Sequence, residues 1–162
     1  MAKNNFFNNF SSVVEQDLIN KLIIESISIY GHDVYFLPRN LGKYDEIYNE
    51  DQLSFYNSAF DTRMYIKSLD SYEGDGTFLS KFNIEIRDQI TFVIARTTFT
   101  EEIGTTADLV RPREGDLIYS SMMKRLFIIK YVNNTSVFYQ LGALQTWDLV
   151  CEAVSYTHLR AH

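Results

Sequence analysis

Thiols and basic charge are scarce in this chain, and long apolar runs are missing. Cys151 is its one cysteine in 162 residues. A single thiol excludes an intramolecular disulfide framework and any zinc site built on several cysteines. It follows Leu149-Val150 in an apolar strand, where a small buried hydrophobe is the ordinary role. No apolar run approaches the roughly 18 residues that span a bilayer as a helix. The opening MAKNNFFNNFSS lacks the apolar core of a secretory signal, so the chain reads as one made in a cytoplasm, with no membrane partner. Lys plus Arg total 15 against 21 Asp plus Glu, a formal net charge of −6. Gripping nucleic acid takes clustered cations. The balance disfavours a dedicated nucleic-acid binder.

What the chain has in plenty is aromatic. Phe, Tyr and Trp make up 15% of it, with 12 Phe and 11 Tyr. Aromatics favour strands and dominate interfaces, and this length supports one domain with a real core. Ser12-Val13-Val14-Glu15 has capping-box spacing, and Ile19, Ile23, Ile27 and Tyr30 recur at helical spacing behind it. An amphipathic helix over Val13 to Tyr30 is predicted, with Gly31 at a left-handed C-cap. Short strands follow at Val34–Leu37, Phe60–Leu69, Ile84–Arg87, Gln89–Thr98, Leu117–Tyr119, Leu126–Val132 and Thr146–Cys151, parted by turn signals. Arg39–Asp51, Asp70–Thr77 and Thr100–Pro112 read as loops. The expected fold is mainly β: a small antiparallel β-barrel with one flanking N-terminal helix and long loops.

Candidate chemistry is thin. Asp70-Ser-Tyr-Glu-Gly-Asp-Gly has the look of a calcium loop, but Tyr72 and Gly74 stand at ligand positions and Lys81 at the twelfth, where a Glu belongs. Gly74 and Gly76 better suit a turn. Glu85 and Arg87, with Asp70 upstream, supply the letters of a metal-dependent nuclease, yet an ordinary solvated strand face has the same letters. No nucleophile elbow or phosphate-binding glycine loop is present. The expectation is no catalytic residue, metal or cofactor. His32 follows the helix end, where a cation would complement the dipole. Lys124 and Arg125, with Arg111 and Arg113, form the one basic concentration, which is either a solvated turn or a contact to DNA or to a neighbouring acidic surface.

The wording of Arg111 to Glu152 resembles a family. Glu114-Gly-Asp-Leu-Ile-Tyr119, the strand Leu126–Val132, Phe138-Tyr-Gln-Leu-Gly142 and a last strand ending Cys151-Glu152 stand in the order found in neck proteins of T-even-type contractile-tailed phages. Upstream, Val34–Arg39 and Ser71–Gly76 extend the resemblance across most of the chain from about Asn20. It implies a structural virion protein of the neck, which forms a ring, completes the DNA-filled head and joins it to the tail. Its partners would be further copies of itself and the portal-side and tail-side neck proteins. Genomic DNA would pass through the lumen without specific binding. The other readings are a small-barrel binding module of a cellular protein and, more remotely, the nuclease.

Residues 1–11 read as an arm carrying Phe6, Phe7 and Phe10, either as assembly anchors, together with the helix Val13 to Tyr30, or packed on the parent barrel. Residues 12–152 read as one connector-like domain. Val154–His162 resembles a translated sequencing adapter, which removes His158 and His162 from the inventory and implies a chain that once continued past Glu152. Lys124 and Arg125 are the remaining candidates for assembly contacts. Their turn, or the loop Thr100–Pro112, is expected to face the central passage or the next ring.

Overall fold

The computed structural model describes residues 12–40, 55–70, 89–133 and 144–154. An 18-residue helix, α1 (Val13–Tyr30), opens the described chain. Six strands follow: β1 (His32–Leu37), β2 (Phe60–Asp70), β3 (Gln89–Ala95), β4 (Leu117–Ser120), β5 (Arg125–Asn133) and β6 (Thr146–Ala153). They close into a barrel in the order β1-β2-β3-β6-β5-β4, with β4 returning to β1 and every pair antiparallel. The mainly β barrel with a flanking N-terminal helix is therefore the fold that the alternation of apolar and polar residues predicts.

That alternation builds the core. Val34, Phe36, Met64, Ile90, Phe92, Ile94, Ile118, Phe127, Ile129, Leu149 and Cys151 belong to one cluster and are almost wholly removed from solvent. Each side chain of this size contributes about 1.5–3 kcal/mol by leaving water. Aromatic rings meet edge to face across the interior, Phe36 on Phe99 at 5.5 Å and Phe92 on Phe127 at 5.6 Å. The register shifts between Ile66 and Ser68 and between Ile129 and Tyr131. Such irregularities bend strands and help a small sheet to close.

The chain between β3 and β4 departs from the sequence reading. Gln89–Thr98 was expected as strand and Thr100–Pro112 as loop, but β3 stops at Ala95. A helical segment then runs through α2 (Arg96–Phe99), a π-helical turn (Thr100–Gly104) and α3 (Thr105–Ala107). Phe99 and Ile103 on it are fully buried in the main core, and Ala107 packs against that core. Phe99, Ile103 and Ala107 recur every fourth residue, so a helix turns all three the same way. β1, β3 and β5 finish at this end of the barrel, and the segment closes it as a plug. At the other end, β4 passes to β5 through a turn over 121–124.

α1 packs on β2 and β3 through Ile23, Ile24 and Ile27, which meet Val93 and Ala95. Both expected caps differ. Ser12 makes no side-chain capping bond; its carbonyl accepts the Gln16 amide at 3.0 Å. Gly31 has φ −77°, an ordinary extended conformation, and its amide donates to the Ile27 carbonyl at 2.7 Å. Space is what requires glycine there. A Cβ would stand 2.4 Å from the Ile27 oxygen and 2.9 Å from the Met64 oxygen.

Candidate functional site

The four cations that sit near one another in sequence are divided between the two ends of β4. At the plug end Arg113 is structural. Its guanidinium donates to the Arg39 carbonyl at 2.6 Å and lies 3.5 Å from a carboxylate oxygen of Asp116. Arg111 pairs with Glu114 at 3.7 Å. At the turn end, Lys124 and Arg125 are both exposed. Lys124 takes the left-handed conformation at φ 52° that lets the turn reverse. The turn is fastened from beneath: Ser121 Oγ donates to the Asp33 carbonyl at 2.8 Å, and Ser120 Oγ accepts the Met123 amide at 3.3 Å. Lys124 and Arg125 are thus held out on a fixed hairpin, apart from Arg111 and Arg113.

Asp116 is the polar centre of the plug end, and sequence reasoning passed over it. It is buried, with 0% of its surface exposed. One carboxylate oxygen accepts the Arg39 amide at 2.8 Å and the other the Arg113 amide at 3.0 Å. Burial pushes its pKa above the ordinary carboxylate value, while the two amides and the two arginines pull it back. Beside it, Gly115 turns at φ 94°, and its carbonyl accepts the Tyr56 hydroxyl at 2.8 Å. Asp116 therefore ties the chain after β1 to the chain before β4. The signal was the polar run Glu114-Gly115-Asp116 directly before an apolar strand, where an acid is as apt to cap inward as to face water.

A cleft of about 300 Å³ lies between the first turns of α1 and the entry to β6. Asn20 donates to Thr97 Oγ1 at 2.6 Å across one side of it. Arg96 stacks 4.4 Å over the centre of Trp147 and donates to the Leu144 carbonyl at 3.2 Å. These contacts join helix, plug and barrel into one body. Among the described residues there is no group of three or more His, Cys, Asp or Glu that could hold a metal ion. Burial pushes the Cys151 thiol far up, where it stays protonated. Burial also lowers the His32 pKa, partly opposed by Asp33; the ring lies 6.2 Å from Phe92, and its Nε2 is buried without a hydrogen-bond partner. His32 is a neutral wall residue, not a cation at the helix end.

Several expected site residues lie outside the described ones: Phe6, Phe7 and Phe10, the strand Ile84–Arg87 with Glu85 and Arg87, and the loop with Gly74 and Gly76. Val154, the first residue of the expected adapter tail, donates its amide to the Leu126 carbonyl at 2.9 Å; residues 155–162 lie outside. The exposed surface itself is unusually apolar in one place. Val13, Val14, Leu18, Leu22, Ile29 and Tyr30, all on α1, are more than half exposed. No helix among the described residues is long and apolar enough to cross a membrane. Comparison with protein families adds one finding: the family model described as virus neck protein, of the T4 type, matches residues 2–157.

Proposed function

Since the chain belongs to the T4-like virus neck protein family, a structural part of the virion that assembles with other virion components, we propose that it forms a ring. The ring completes the DNA-filled head and joins it to the tail. Membership carries the neck role, and the surface supports the ring. A helix that has already buried one side against its own barrel still exposes large apolar residues on the other. Contiguous exposed apolar surface of this kind marks contact between proteins.

The remaining features suit the same role. A net charge of −6 on each copy disfavours adhesion of passing DNA, because like charges repel across a lumen. Lys124 and Arg125, on their fixed hairpin, serve as assembly contacts to an acidic neighbouring surface. Phe6, Phe7 and Phe10 add anchors from the N-terminal arm. No catalytic step is assigned to any residue.

Electron microscopy of the purified chain, followed by its addition to DNA-filled heads and separate tails that lack neck proteins, tests the proposal. Rings in isolation and joined particles on addition are expected. A chain that stays monomeric and leaves heads and tails apart would overturn it.

A further inference from the structure

α1 contributes nothing to the interior of the barrel. The main core draws on the strands and the plug. Among the described residues, neither its buried side chains nor the apolar ones packed against them include one from the helix. The ladders that close the barrel join strand to strand. The helix lies on the outer wall instead, where Ile27 is its one buried residue and, with Ile23 and Ile24, covers Val93 and Ala95. Lifting it away uncovers that small patch and leaves the main core closed.

Nor is α1 built to hold itself. Seven of its 18 residues are Val or Ile, whose stiff side chains lower helix propensity. An isolated helix of this length is marginal in water even for good helix formers. Ser12 makes no side-chain capping bond, and the last turn has no basic residue. The barrel supplies polar ties in their place. Asn20 donates to Thr97 Oγ1 at 2.6 Å. Arg63 donates to the Ser28 carbonyl, near the C-terminal end of the helix, and pairs with Asp33 at 2.9 Å. It thus brings the positive charge that the helix dipole favours there, but its side chain is nearly half exposed, where such a tie is worth little. Val14, Leu18, Leu22 and Ile29 stand more than half exposed, so their apolar area adds little to the docking.

We propose that α1 is a strap that opens alone: it undocks from β2 and β3 and unwinds while the six-stranded barrel stays closed. Docking and winding are one step. The helix needs the wall to persist, and the wall contacts need the helix to bring Ile23, Ile24 and Ile27 to one side. β1 begins at His32 inside the barrel ladder, so the break falls at Gly31, where the missing side chain leaves the backbone the most freedom. Opening of this kind is a local event that takes far less free energy than unfolding the whole.

Hydrogen exchange read by mass spectrometry tests this, on the full-length chain diluted until mass photometry shows single copies. Amides of α1 should exchange on the order of a hundredfold or more faster than those of β3 and β6, with the two strands exchanging together. Ile23→Ala with Ile27→Ala should speed α1 by about tenfold or more and leave both strands unchanged. α1 exchanging at the rate of the strands, or strands that speed up with it in that variant, would overturn the proposal. Leu18→Ala with Leu22→Ala, on the outer side, keeps good helix formers and should leave the exchange of α1 within about threefold of the wild type. A rise as large as that of the inner pair would mean that another part of the same chain clamps the outer side, and would overturn the strap as well. Each readout is of a single copy, so none depends on whether copies form a ring.

Discussion

Asp116 and His32 show how burial sets the behaviour of single residues here. Asp116 holds two backbone amides from separate segments, so Asp116→Ala leaves both unsatisfied in a buried place. That should cost about 2–4 kcal/mol in urea unfolding, and Asp116→Asn less, since its oxygen still accepts one amide. The carboxyl pKa is raised above 3.8, so the folded state holds a proton that the unfolded state has released. Stability from this group therefore falls as pH rises from 3.8 to the raised value and is level above it; the Asn variant should lose that slope. His32 runs the other way. Its pKa lies below 6.5, and the unfolded chain takes up the proton first. Stability is fully present above 6.5 and is lost as pH falls towards the lowered value. Thermal melts at pH 7.5 and pH 5 should show this drop, and His32→Phe should reduce it. Neither role was legible in sequence, where Asp116 reads as a turn acid and His32 as a helix-end cation. The letters give the group but not the solvent around it.

Elements that repeat a simple period were legible, and those held by close approach were not. α1 matches its predicted bounds, and the described strands overlap the predicted ones, with β3, apolar on both faces, ending at Ala95 instead of Thr98. The plug is hidden because Thr97 and Thr98 give its start strand-like propensity and the stretch from Thr100 to Pro112 reads as a loop, which masks Phe99, Ile103 and Ala107 at helical spacing. Gly31 was assigned a positive φ from its place after the helix, whereas two carbonyl oxygens leave no room for a Cβ. Gly31→Ala should therefore destabilise by about 2–4 kcal/mol, as an overpacked site does. Gly115→Ala meets only the movable Arg39 side chain but is strained at φ 94°, and should cost about 1–2 kcal/mol. Equilibrium unfolding of both variants checks the order, and a milder Gly31→Ala would refute the close-approach argument.

For the whole molecule, sequence order carries the family, alternation carries the barrel, and α1 joins the N-terminal arm as an expected source of contacts between copies. Helical spacing predicts Ile19, Ile23, Ile27 and Tyr30 on one side, whereas the structure leaves Tyr30 exposed, and Val14, Leu18, Leu22 and Ile29 exposed on the other side. Low contrast between the two sides is the trace of a helix that is apolar on both. Deleting residues 1–11 should weaken assembly more than it lowers the melting temperature, and equal losses in both would tie Phe6, Phe7 and Phe10 to the parent barrel. Lys124→Ala with Arg125→Ala should leave folding intact, because exposed cations contribute about 0–1 kcal/mol each. The same pair should reduce the yield of joined particles, with an unchanged yield returning both residues to solvated turn charges.

A closed barrel invites comparison with a pipe, but this one is a brick. Its interior is filled by rings and branched side chains, and one mouth is stopped by Phe99 and Ile103. The described residues of a single copy thus offer no bore, and in the proposed ring any opening wide enough for a genome would be masonry, left between bricks laid in a circle. Its calibre then follows from how many copies are laid and the angle at each joint. Substitutions inside the barrel would weaken the brick without changing the gauge of the opening. Those at the joints would change the gauge and leave the brick whole.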